Sequence, residues 1–265
     1  MSPCLGFLPI SMVLLASGTF IISYIIAVVR GDVSAAFPYI SDTGAEGPES
    51  KVFAQFLNIS SFLALWTMYV RYKIIICLGS GEDRWLRNMN RFSFVLGVLA
   101  ALGCSMVANF QERTEVEAVH FTGAFMVFIG GFIYTCLMTA ITYHMYPDYN
   151  GLYIGRIRLA ISVVCLVSLI ITGVGAGIAN YQSTGSFHRH SEFHWNPGDD
   201  GYAAHVTSTA GEWSMALTFL FFFFTYVREF NKFDLSVRLQ ALVRHMDEEP
   251  LVVQLGSDER TALLH

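Results

Sequence analysis

The side chains that could do chemistry here sit in unusual company. Asn58, Asn109, His120, Asn180 and Glu212 each fall inside, or at the edge of, a long apolar run, and His205 lies just before the last one. Polar groups in such surroundings are costly, and they serve either to bridge helices or to form a site. If the runs alternate direction, all six share one side of the resulting bundle. Glu212 is the costliest when ionised, and His120 or His205 is its expected partner. Two readings stand. In one, these groups only hydrogen-bond across helices, each pair adding about 0.6–2 kcal/mol. In the other, Asn58, Asn109, His120, His205 and Glu212 line a cavity for a lipid head group or a small polar ligand.

Other chemistries find less support. His188, His190, Glu192 and His194 fit no closed tetrahedral metal pattern, so neither a metal nor a cofactor is expected. Gly173-Val174-Gly175-Ala176-Gly177 lies within an apolar run with no strand before it. It reads as a GxxxG-type packing face, not a nucleotide loop. The chain has no nucleophile elbow, zinc-protease motif, P-loop or paired-carboxylate motif. A non-enzymatic role is therefore expected, with no nucleic-acid partner.

The elements that must position these residues are six apolar runs, at 9–29, 52–70, 92–110, 118–143, 159–180 and 208–227. A spanning helix needs about 20 such residues to cross a hydrocarbon core roughly 30 Å thick. Hydrophobic residues make up 54% of the chain and charged residues 14%, with a mean hydropathy of +0.48. Soluble domains carry about 25% charged residues. The expected fold is all-α: a six-helix transmembrane bundle over residues 1–230, followed by a tail at 231–265. Of the 16 basic residues, 12 fall on the side of the termini and 4 on the other. The positive-inside rule then makes both termini cytosolic. No basic residue precedes the first run, which is longer than a signal-peptide core, so it reads as an uncleaved span.

Cys104, Cys136 and Cys165 lie in spans, and Cys4 and Cys77 lie on the cytosolic side, so no disulfide framework is expected. Cys4 and Cys77 are ordinary thiols or palmitoylation sites. The sequon Asn58-Ile59-Ser60 lies within a span and should stay unmodified. Five histidines and ten acidic residues fall at the lumenal side. The histidines would charge in an acidic organelle, which raises pH sensing as a hypothesis.

The first lumenal loop reads Phe37-Pro38-Tyr39-Ile40-Ser41-Asp42-Thr43-Gly44, with a turn bracketed by Pro and Gly. Its core, Pro38 to Gly44, resembles the signature of the DRAM family, the damage-regulated autophagy modulators. Further segments match in order: Tyr69-Val70-Arg71-Tyr72-Lys73, Val107-Ala108-Asn109-Phe110-Gln111, His194-Trp195-Asn196-Pro197, Glu212-Trp213-Ser214 and Thr225-Tyr226-Val227-Arg228. The likeness covers nearly the whole chain. The long tail looks more like that of the family's second member than that of its shorter first. The resemblance implies a multi-pass protein of lysosomes and late endosomes that promotes autophagy, with links to cell death and contacts to the autophagy machinery. The wider group looks like factors in GPI-anchor remodelling and phosphoinositide control, which suggests lipid handling by analogy alone. The alternatives are a lipid or small-molecule transporter, or an intramembrane lipid-modifying enzyme around His120 and Glu212. The transporter reading lacks an inverted repeat or a pair of broken helices.

In the tail, Leu235, Leu239, Leu242, Val243 and Met246 recur at helical spacing beside Lys232, Arg238 and Arg244. That pattern suggests an amphipathic helix on the membrane surface. Arg84, Arg87 and Arg91 also share helical spacing. They either contact anionic or phosphoinositide lipids or simply hold their loop inside. Glu259, Leu263 and Leu264 form an acidic dileucine signal for clathrin-adaptor-type sorting machinery. Replacing both Leu263 and Leu264 by Ala should strand the protein away from lysosomes in fluorescence imaging. Undiminished lysosomal delivery would remove the sorting role.

Overall fold

The computed structural model describes residues 5–79, 81–112, 115–183 and 193–235. Among them are six helices long and apolar enough to cross a membrane: α1 (Phe7–Arg30), α2 (Glu49–Leu78), α3 (Arg84–Asn109), α4 (Glu117–His144), α5 (Leu152–Ser183) and α6 (Tyr202–Phe224). A single turn, α7 (Val227–Phe230), follows α6. The dileucine signal at Glu259, Leu263 and Leu264, most of the amphipathic tail segment, and His188, His190 and Glu192 lie outside the described residues.

Local signals set the helix ends. Gly31 closes α1 at φ +77°, a left-handed conformation that costs glycine little. Its N–H and that of Asp32 then return to the carbonyls of Val28 and Ala27. Asp83 opens α3, its side chain accepting from the Leu86 N–H at 2.9 Å. That bond, together with the neighbouring His144, holds the Asp83 carboxyl below its ordinary range.

Each helix packs on its neighbours in the chain, and α6 returns to α1, so the six form a closed ring. Lipid tails are as apolar as leucine, so close packing in a membrane depends on small residues. Gly103 and Gly123 meet where α3 crosses α4: a Cβ on either would fall within 2.8 Å of the other's carbonyl oxygen. At the α5–α6 seam Gly175 lies against Ser208, and Gly211 against Thr172. This corrects the expected GxxxG face, since only its middle glycine packs. Gly173 and Gly177 face open space. Just past the α3–α4 crossing, α4 widens into a π turn at Met126–Gly130. Such an inserted residue shifts the helical register.

Helices α2 and α5 extend well beyond the apolar runs that identified them. At 32 residues, α5 is about 48 Å long, longer than the hydrocarbon core. Arg71 and Arg158, expected in or beside loops, are therefore helical, and they turn inward. Arg158 donates to Glu229 at 2.8 Å, Thr142 at 2.7 Å and Thr225 at 3.0 Å. Arg71 binds the other oxygen of the same Glu229 carboxylate. Both guanidinium groups lie over the Tyr226 ring, at 5.3 and 4.8 Å. Arg71 and Arg158 are 1% and 0% exposed. The end of the bundle near the chain termini was expected to lack a polar set comparable to the opposite one. Instead it holds this buried knot, which ties α2, α4 and α5 to α7. The Gly6 N–H adds a bond to the Asn231 side chain at 3.0 Å.

Glu229→Gln would leave two buried guanidinium groups facing each other without a counter-charge. Breaking such a network costs about 3–5 kcal/mol. The thermal unfolding midpoint in detergent should fall sharply, and an unchanged midpoint would show that the knot is not structural.

Candidate functional site

The ring encloses a cavity of about 560 Å³ lined by all six helices, within the range of about 300–1,000 Å³ usual for ligand pockets. Its body is apolar: Met12, Leu57, Phe128, Phe219 and Leu220 are representative of its wall. The π turn helps here, because Phe125, Val127 and Phe128 all reach the lining. Polar groups gather at one end, where Tyr39, Ser41, Glu112, His120 and Glu212 form a cap.

The cap is built by the loop between α1 and α2. Phe37 adopts φ +48°, a turn uncommon for a side chain of its size. The following residues then run back into the bundle. The Pro38 carbonyl accepts from Trp213 Nε1 at 2.9 Å. Tyr39 donates to Ser208 Oγ at 2.7 Å, and Ser208 donates in turn to the Thr172 carbonyl at 2.7 Å. The Ile40 N–H reaches Glu212 Oε2 at 3.2 Å. Ser41 donates to Glu112 at 2.8 Å. Thr43 pairs with Ser23 of α1 at 3.0 Å. Asp42 is buried and opens a short 3-10 turn ending at Gly44. A Cβ on Gly44 would lie 2.5 Å from the Phe53 ring. The P-Y-I-S-D-T-G string is thus a plug stitched to α1 and α6 and packed on α2.

Burial, followed by the nearby Glu212, Asp42 and Glu112 charges, pushes the Tyr39 hydroxyl up to about 12, against a smaller lowering by its bond to Ser208. Tyr39 therefore remains a donor at neutral pH. His120 lies 2.6 Å from the Phe110 carbonyl through Nδ1 and 3.0 Å from Glu112 Oε1 through Nε2. A carbonyl oxygen only accepts, so Nδ1 carries a hydrogen. The contact between Nε2 and the carboxylate then requires one further proton, on the imidazole or on the acid.

The structure divides the six polar residues picked out in the sequence. His120 and Glu212 line the cavity. Asn58 and Asn109 do not: they bond each other at 3.0 and 3.1 Å, and Ser105 donates to Asn58 at 2.6 Å, in a separate bridge between α2 and α3. Asn180 is exposed. His205 stacks on Trp195 at 4.3 Å and meets the edge of Tyr39 at 5.1 Å, behind the cap. The expected Glu212–histidine pair is also corrected. His120 is taken by Glu112, and Glu212 is held by a backbone amide that the folded loop delivers. Sequence reading missed Glu112, counting it only as loop charge; its place directly after the Phe110-Gln111 motif was the available signal. Among the described residues, no group of three or more His, Cys, Asp or Glu side chains is placed to hold a metal ion.

Trp213→Phe keeps the ring but leaves the Pro38 carbonyl unmatched, at a cost of about 1–3 kcal/mol. Amide hydrogen exchange should quicken across residues 37–45 while α7 stays protected. Uniform exchange throughout would mean that this bond does not pin the loop.

Comparison with known proteins supplies the family. The family described as Frag1/DRAM/Sfk1/Cwh43P N-terminal domain matches residues 5–233. DNA damage-regulated autophagy modulator protein 2 of Homo sapiens is 39% identical over 98% of this chain and 96% of its own length. DNA damage-regulated autophagy modulator protein 1 of Homo sapiens is 37% identical over 88% of this chain and 94% of its own. Modulator of macroautophagy TMEM150B-B of Xenopus laevis is 37% identical over 63% of this chain and 71% of its own. No solved structure matches significantly. Six apolar helices, the plugging loop motif and near full-length similarity to proteins named as autophagy modulators lead to one conclusion: the chain belongs to the Frag1/DRAM family of multi-pass membrane proteins.

Proposed function

We propose that this protein modulates autophagy from the lysosomal and late-endosomal membrane, and that it does so by binding a lipid-like ligand in its central cavity, not by catalysis. The observation that carries this reading is the cavity itself, apolar along its body and polar at one end, the pattern of an amphiphile site. The similarity to proteins named as autophagy modulators supports the pathway. The 12-to-4 split of basic residues supports cytosolic termini, which would turn the polar cap toward the lumen. The dileucine signal at Glu259, Leu263 and Leu264 would engage sorting adaptors on the cytosolic side. Arg84, Arg87 and Arg91 are exposed on α3 and would meet anionic or phosphoinositide head groups there.

The cap's own bonding favours binding over catalysis. Both nitrogens of His120 are occupied, by the Phe110 carbonyl and the Glu112 carboxylate, so the imidazole is not open to a substrate. Among the described residues, Ser41 is the one cap hydroxyl set against a carboxylate, and that carboxylate is shared with His120, a closed bonding pattern that fits a structural cap.

Filling the cavity tests the reading. Ala216→Leu and Ala176→Leu each place extra methyl groups in its wall. Both variants should reach lysosomes and keep their fold in detergent, yet lose most of the stimulation of autophagic flux in cells lacking the native protein. Full flux from correctly delivered variants would contradict a role for the cavity.

A further inference from the structure

The cap is unbalanced in a way that specifies the ligand's head, provided the cavity is a lipid site as proposed above. Its donors are already spent on the protein. Tyr39 gives its hydrogen to Ser208, Ser41 gives its own to Glu112, His120 gives Nδ1–H to a carbonyl, and the Ile40 N–H goes to Glu212. What remains facing the cavity is acceptor capacity. An ionised carboxylate offers about four lone-pair sites. Glu212 is 7% exposed, and its one hydrogen bond reaches Oε2. Among the described residues, Oε1 has no partner and no basic side chain pairs with Glu212. The one imidazole in the cap is committed to Glu112 at 3.0 Å.

Burying a carboxyl group without a counter-charge favours its taking up a proton, and a cationic donor would stabilise the charged form instead. We infer that the cavity binds a single-tailed amphiphile with a protonated amine head, the ammonium seated on Glu212 beside Glu112 and the chain running between the helices toward Phe219 and Leu220. A hydroxyl head would satisfy the acceptors without the charge. An anionic head would add a third acidic group beside Glu212 and Glu112, with no basic side chain among the described residues on Glu212 to offset it. Along the body the hydroxyls of Ser60, Ser61 and Thr135 are given to backbone carbonyls, and among the described residues no charged side chain lines it.

Three chains that differ only in their heads test this: octadecylamine, octadecanol and octadecanoate, each titrated against the full-length protein in detergent, with the thermal midpoint and displacement of a fluorescent fatty amine as readouts. The amine should bind at least about tenfold more tightly than the alcohol, the increment of one charge-assisted hydrogen bond. The octadecanoate should not compete. Glu212→Gln should erase most of the amine's advantage while leaving the alcohol nearly unchanged, since the amide oxygen still accepts. Equal affinity for all three heads would overturn the head-group inference while leaving a lipid-binding cavity in place. No binding of any chain, with Ala216→Leu behaving like wild type, would overturn both. The comparison of heads on the wild-type protein decides the matter even if Glu212→Gln fails to fold.

Discussion

A ring of helices in a membrane is penalised for every buried polar group it leaves unmatched, because the surrounding hydrocarbon offers no partner. Much of this structure answers that constraint. At the terminal end Glu229 holds Arg71 and Arg158 together, drawing α7 under the bundle. At the opposite end the loop after α1 folds inward and bonds to α1 and α6 through Thr43, Tyr39 and Ile40. Between these two seals the helices approach closely at Gly103–Gly123 and Gly175–Ser208 and diverge elsewhere. The cavity is the space left where they diverge.

The two seals differ in kind. The terminal knot shares one carboxylate between two guanidinium groups under aromatic cover, with Tyr226 beneath both, although Arg71 Nε and Nη2 make no hydrogen bond among the described residues. It orders the chain's last membrane turn and opens onto no cavity. The loop-end cap borders the cavity, and Glu212 keeps acceptor capacity in reserve. Excess acceptors in a buried place are a poor choice for stability alone. They make sense as the recognition half of a site whose other half comes from the ligand, and the proposed function rests on that asymmetry.

The six helices were legible because length and hydropathy suffice to find a span. Their boundaries were less so: α5 reaches Leu152 because Arg156 and Arg158 sit on helical turns, and a charge count reads such residues as loop. Alternation placed Glu212 and His120 at one end of the bundle, but it could not say who pairs with whom. That depends on Ile40 and Glu112, which only the folded loops bring within reach. Asn58 and Asn109 looked equivalent to His120 in sequence, yet helix rotation turns them to each other and away from the cavity. Arg71 appeared in a matching segment with no visible purpose, since its partner Glu229 is 158 residues away. Short-range periodicity finds elements and faces, and contacts across the ring are invisible to it.

The central claim is that the cavity holds a specific amphiphile in the membrane where the protein works. Its most direct measurement is native mass spectrometry of the protein extracted from the cell membranes that carry it, with the lipids released from it identified and compared with the bulk membrane. The account predicts one single-tailed amine lipid per chain, strongly enriched over the bulk. A lipid complement indistinguishable from the surrounding membrane would contradict it.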